Sequence, residues 1–187
     1  MAGHVSGGGP LWVFAYGSLM WDPGFAFDHC APAVLKGYRR AFCVLSKSHR
    51  GTPERPGLVL GLAPGGTCRG MVYRVTPGHE EEVQAYLFER ERRRYEVYRE
   101  RMLRVRHTGG AVWAQTYIAD PAARDYVGEL AEDEIARRIL AAHGERGPNF
   151  DYLERTIGQL KALKIREPGL ERVYALALGL RGDALHA

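Results

Sequence analysis

Glycine and proline cut the first two thirds of this chain into apolar runs of strand length, while the last third carries helical periodicity. Residues 11–15 (LWVFA) end on Tyr16-Gly17-Ser18, the pattern of a buried strand feeding a loop. Asp22-Pro23-Gly24 marks a turn, and the β-branched and aromatic content of residues 34–46 predicts one or two strands. Residues 49–57 (HRGTPERPG) hold two prolines and two glycines, which excludes helix and central strand and leaves a loop. Residues 58–62 and 68–75 predict strands joined as a hairpin by Pro64-Gly65-Gly66. After Pro77-Gly78 a helix is expected, with Val83, Tyr86 and Leu87 on one face and Glu80, Glu81 and Glu82 opposing its dipole. Strand character returns over residues 95–105 and 112–118 around a Gly109-Gly110 turn. Ile135, Ile139 and Leu140 then mark a helix closed by Gly144. Leu153, Ile157 and Leu160 mark the next, with Asn149 as its N-cap, and residues 170–178 a last helical stretch.

Strands in series followed by helices predict an α+β fold, with a mostly antiparallel mixed sheet or barrel and flanking helices. Residues 11–180 are expected to form one domain, with a flexible tail over 1–10 and a C-terminal tail over 181–187. Strand and helix do not alternate regularly and no GxxxxGK[ST] loop occurs, which argues against nucleotide-binding α/β folds.

Bulk properties narrow the function classes. The three cysteines, Cys30, Cys43 and Cys68, form no CxxC and no even framework, as in a reducing compartment. The start lacks the regions of a signal peptide, and no apolar run approaches the ~20 residues that span a bilayer. A cytoplasmic location with no membrane partner is expected. His29, His49, His79, His107, His143 and His186 are scattered without ligand spacing, so no metal is expected. Arginines crowd residues 90–106, but Glu91, Glu96 and Glu100 interleave them and few aromatics accompany them, so no nucleic acid is expected.

Two features stand out chemically. A glycine directly after a buried strand lets backbone N–H groups approach a carboxylate or developing oxyanion, by close approach or a positive φ. Gly17 also suits an ordinary tight turn. Ser18 lacks a GxSxG elbow and is no candidate nucleophile. Glu91 flanks the apolar stripe of its helix, eight residues beyond Val83, whereas Glu89 projects to the opposite face. A carboxyl beside apolar side chains has the raised pKa that proton transfer near neutrality requires. The alternative is a frayed helix end with Glu91 paired to Arg90 or Arg94 on the surface.

These segments fall in an order that resembles the ChaC family of glutathione-specific γ-glutamylcyclotransferases. Residues 13–23 (VFAYGSLMWDP) resemble its N-terminal signature. Gly37-Tyr38-Arg39-Arg40 with Phe42, then Ser46 and His49-Arg50-Gly51-Thr52-Pro53, resemble its next strand and polar loop. Gly70-Met71-Val72-Tyr73-Arg74, Arg90-Glu91 with Tyr95, and Gly147-Pro148-Asn149 with Tyr152-Leu153 complete the set, which spans roughly residues 11–165. Arg92-Arg93-Arg94 depart from it, because family members usually carry a small residue before the tyrosine.

The resemblance implies a cofactor-free reaction in which a γ-glutamyl amine attacks its own γ-carbonyl, releasing 5-oxoproline and, from glutathione, Cys-Gly. It implies Glu91 as general base and acid. Substrate binding is implied for Val13, Phe14, Ala15, Tyr16, Gly17, Ser18 and Leu19, with Ser46, Arg50, Tyr95 and Tyr152. Another γ-glutamyl amine as substrate, or a non-catalytic regulatory role, are the alternatives to be separated by substrate profiling.

Overall fold

The computed structural model describes residues 9–93 and 95–185. Residues 1–8 of the tail expected over 1–10, residues 186–187 of the tail expected over 181–187, Arg94, and the side chains of Arg92, Arg93, Ala184 and Leu185 lie outside this description. Five strands close into a barrel in the order β1-β3-β2-β4-β5. They are β1 (Trp12–Ala15), β2 (Phe27–Ser46), β3 (Gly57–Val75), β4 (Tyr98–His107) and β5 (Gly110–Ala119). All pairings are antiparallel except that of β1 with β5, where Val13 meets Gln115. The sheet is therefore mixed and closed, as the serial strands predict.

The expected hairpin at Pro64-Gly65-Gly66 does not form. Residues 58–62 and 68–75 belong to one long strand, β3, which pairs with β2 along its length. The physical reason lies in the partner strand. Register steps from Lys36–Thr67 to Tyr38–Pro64, leaving Gly37 opposite Gly65 and Gly66 as a bulge. All three glycines have positive φ (87°, 90° and 79°), which residues with a Cβ rarely adopt. The glycines bend both strands together, and the ladder resumes beyond them.

Strand β3 meets the helices α2 (Glu132–Ala141) and α3 (Asn149–Ala162), and α4 (Pro168–Leu185) packs on both of them. Between α2 and α3 lies a tight hairpin of β6 (His143–Gly144) and β7 (Gly147–Pro148), so Gly144 pairs in a sheet rather than closing the helix. Asn149 is no N-cap either. It is fully buried, and its amide exchanges two hydrogen bonds with the Leu58 backbone, accepting from N at 2.7 Å and donating to O at 2.8 Å. This pins the start of α3 to β3. Helix α4 runs to Leu185, into the stretch 181–187 where a tail was expected, and Leu170, Val173 and Ala177 anchor its first half to the core. Among the described residues no helix is long and apolar enough to cross a membrane.

The barrel is tight where β1 crosses β3. A methyl group on Gly70 would lie 2.2 Å from the carbonyl oxygen of Ala15, against backbone that cannot move aside. Gly70→Ala is expected to lower stability by about 2–3 kcal/mol, measured by urea unfolding, because overpacking of this kind displaces main chain.

Candidate active site

Strand β1 delivers the chain to the mouth of the barrel and stops at Ala15. Tyr16 and Gly17 follow, then one 3₁₀ turn, Ser18–Met20, closed by the hydrogen bond from Met20 N to Gly17 O at 2.9 Å. Tyr16 is held at both ends. Its hydroxyl donates to Tyr117 O at 2.8 Å, and its carbonyl accepts from Arg40 Nε at 2.6 Å. In a trans peptide the C=O and N–H point in opposite directions, so Arg40 also directs the Gly17 N–H away from itself. Gly17 has φ −127°, so a positive φ is not what glycine provides here. Close approach is: a Cβ would sit 3.3 Å from the Tyr152 hydroxyl.

Glu91 reaches the same cleft by a change of helix type. The helix α1 (Glu80–Leu87) buries Val83 and Leu87, then continues as a π-helical segment, Phe88–Arg93. A π-helix turns less per residue than an α-helix, which rotates Glu91 back toward the face of Val83 and Leu87. Glu91 keeps only 15% of its side chain exposed, whereas Glu89 is exposed. Arg90 lies between loop and helix. It donates to Ser18 Oγ at 2.9 Å, Asp22 O at 2.8 Å and the Tyr86 hydroxyl at 2.5 Å, with its Nε 3.6 Å from Glu91 Oε1. Burial pushes the Glu91 carboxyl above the ordinary glutamate range, against the opposing pull of Arg90.

Around Glu91 the cleft has two compartments. The inner one is lined by Phe14, Tyr16, Gly17, Ser18, Leu19, Leu60, Glu91, Tyr98, Tyr117 and Tyr152. The outer one is lined by Ser18, His49, Arg50, Val59, Arg90, Glu91, Tyr95, Tyr98, Arg146 and Tyr152. Burial raises the phenol pKa values of Tyr16, Tyr98, Tyr152 and Tyr95, and the nearby Glu91 charge adds to each shift. These hydroxyls stay protonated at neutral pH. Tyr98 donates to Leu60 O at 2.5 Å, and Tyr152 accepts from Leu60 N at 3.4 Å. Among the described residues, Glu91 is the one carboxyl group lining the inner compartment.

The residues singled out from sequence separate into three groups. Phe14, Tyr16, Gly17, Ser18, Leu19, Glu91 and Tyr152 line the inner compartment, and Arg50 and Tyr95 the outer. Val13 and Ala15 are fully buried in β1, inside the ladder with β3, and line neither compartment. Ser46 is also fully buried behind the cleft, its hydroxyl 3.1 Å from the Tyr95 hydroxyl and accepting from Arg50 N at 3.1 Å. Sequence reasoning missed Tyr98, Tyr117, Leu60 and Arg146 as lining residues, and Arg40 behind the loop. Their strand or loop positions carry no local signal, although Gly37-Tyr38-Arg39-Arg40 lay inside a family-like segment. Among the described residues no group of three or more His, Cys, Asp or Glu side chains gathers where it could hold a metal.

The profile of ChaC-like proteins matches residues 11–176. The chain belongs to this family. "Gamma-glutamylcyclotransferase 2-3" of Arabidopsis thaliana is 37% identical over 163 residues, covering 80% of this chain and 81% of the relative. "Glutathione-specific gamma-glutamylcyclotransferase" of Escherichia coli K12 is 34% identical, covering 87% of this chain and 70% of the relative. Among solved structures, the yeast γ-glutamyl cyclotransferase specific to glutathione, in its selenomethionine form, superposes with a TM-score of 0.81 at 25% identity. That match covers 90% of this chain and 96% of the yeast one. The ChaC-like fold of this chain is thus the closed barrel with α2 and α3 packed on β3 and α4 packed on both helices.

Proposed function

We propose that this protein is a γ-glutamylcyclotransferase acting on glutathione, a lyase that yields 5-oxoproline and Cys-Gly. The observation that carries the reading is the largely buried Glu91 carboxyl facing the Tyr16–Leu19 loop across one cleft. Two ChaC-like relatives of high coverage bear the name of this activity, one of them specific to glutathione.

The chemistry needs no group beyond these. The glutamyl α-ammonium loses a proton to Glu91 and its lone pair attacks the γ-carbonyl carbon of the same residue. The new C–N bond closes a five-membered ring, and the carbonyl electrons shift to oxygen. Loop amides such as that of Gly17 are suited to stabilise the resulting oxyanion. When the carbonyl re-forms, the bond to the cysteinyl nitrogen breaks and that nitrogen takes the proton held by Glu91. The restored carboxylate then takes the second proton of the ring nitrogen and passes it to the departing amine, so a neutral lactam and an ammonium result. Atoms balance without water, so one carboxyl with a raised pKa serves as base and then acid. Because the attack is intramolecular, the inner compartment accelerates it by holding the glutamyl chain folded. The neutral tyrosine hydroxyls supply hydrogen bonds that do not compete for the proton.

Glutathione incubated with the protein is expected to give equimolar 5-oxoproline and Cys-Gly, resolved by mass spectrometry. Release of free glutamate instead would mean hydrolysis. No turnover of any γ-glutamyl compound would sink the reading.

A further inference from the structure

The two compartments meet at Glu91, which lines both. If ring closure takes place there, as the cyclotransferase reading on which this inference rests requires, the glutamyl group occupies the loop side. The leaving amine then extends into the outer compartment. Three arginines, Arg50, Arg90 and Arg146, line that space, with Glu91 as the one carboxylate residue among its described lining.

These arginines are not equivalent. Arg90 is engaged by Ser18, Asp22 and Tyr86. Arg50 donates from Nη1 to the carbonyls of Arg146 and Pro148 at 2.6 and 3.2 Å, and its guanidinium lies over the Tyr152 ring at 5.7 Å. It braces the β6–β7 hairpin. Arg146 sits at the tip of that hairpin, and its guanidinium makes no hydrogen bond or ion pair with another described residue.

The hairpin itself is firmly placed. Glu145 N donates to Ser48 O at 2.8 Å and Arg146 N to His49 O at 3.0 Å. Gly144 packs so closely that a Cβ would lie 2.3 Å from Ser48 O. The backbone of Arg146 is therefore fixed, and only its side-chain torsions remain to be ordered when an anion arrives, a small cost of binding.

We infer that Arg146 binds the terminal carboxylate of the leaving group, and so selects γ-glutamyl peptides that end in a free carboxylate over γ-glutamyl amines that lack one. Arg50 is a positioning residue for this contact. A planar guanidinium suits a carboxylate in geometry as well as charge.

The test compares glutathione with its C-terminal amide, using wild type, Arg146→Ala and Arg146→Lys. Wild type is expected to favour glutathione by about 10- to 100-fold in kcat/KM, the range of one charged hydrogen-bonding contact, mainly through KM. In Arg146→Ala the ratio of the two substrates collapses towards one, and in Arg146→Lys it is partly retained. Equal losses on both substrates in Arg146→Ala would overturn the inference, because Arg146 would then serve the glutamyl half or the fold. Equal turnover of both by wild type would also overturn it, while leaving the cyclotransferase reading intact. No turnover of either would sink both.

Discussion

Glu91→Gln is expected to lower kcat/KM for glutathione by about 10³-fold, within the range that general acid–base catalysis contributes. Glutamine keeps the volume of the side chain, turns one acceptor oxygen into an NH2 donor, and removes the charge and the ability to exchange a proton. Binding should persist, so the loss falls on kcat. The pH profile gives an independent check. The reaction needs the Glu91 carboxylate, and burial holds that pKa above the ordinary value of 4.5. Wild-type activity should therefore rise with pH through this raised value, and the variant should lose that acidic limb.

Stability follows the opposite sign. A carboxyl with a raised folded pKa binds its proton more tightly in the native state than in the unfolded chain. Its contribution is fully present below the unfolded value and is lost as pH rises through the folded one. The melting temperature of wild type should thus fall relative to Glu91→Gln across that window. A variant with full activity, or with melting curves that track wild type at every pH, would remove Glu91 from the proton-transfer role.

Arg40→Met is expected to cost about 3–5 kcal/mol of stability, read from denaturant unfolding, because it breaks a buried ion pair. The Arg40 side chain is fully buried. It donates to the carbonyls of Tyr16 and Arg69, each at 2.6 Å, and pairs with Glu167. Removing it strands two carbonyl oxygens and a carboxylate whose pKa burial already raises despite Arg40. The cost therefore exceeds the loss of one contact. Arg40→Met with Glu167→Leu should recover part of the stability, since no charge is then left unpaired. Activity should not recover, because the Tyr16 carbonyl still lacks its donor and the Gly17 amide loses its fixed direction. Recovery of both together would reduce Arg40 to a structural role.

Much of this architecture can be read without coordinates. Short apolar runs punctuated by glycine and proline specify strands, since such runs satisfy a two-residue side-chain period and cannot sustain a helix. The Val83, Leu87 stripe and the acids before it specify α1 for the same local reason. Failures occurred where a local signal had a distant partner. Pro64-Gly65-Gly66 reads as a turn, and becomes a bulge only because Gly37 sits opposite in β2. Asn149 reads as a cap, and is instead bonded through its amide to the Leu58 backbone far along the chain.

The site divides in the same way. The loop after β1 and the choice of Glu91 over Glu89 followed from sequence neighbours, because a strand end and a helical face are properties of adjacent residues. The rest was decided by the tertiary structure. The π-helical segment at Phe88–Arg93 turned Glu91 into the cleft, barrel closure brought Tyr98 and Tyr117 beside it, and the β6–β7 hairpin carried Arg146 to the mouth. Each of these positions depends on which strands pair and which helices pack, and free energies of that kind are set by contacts between residues far apart in the chain.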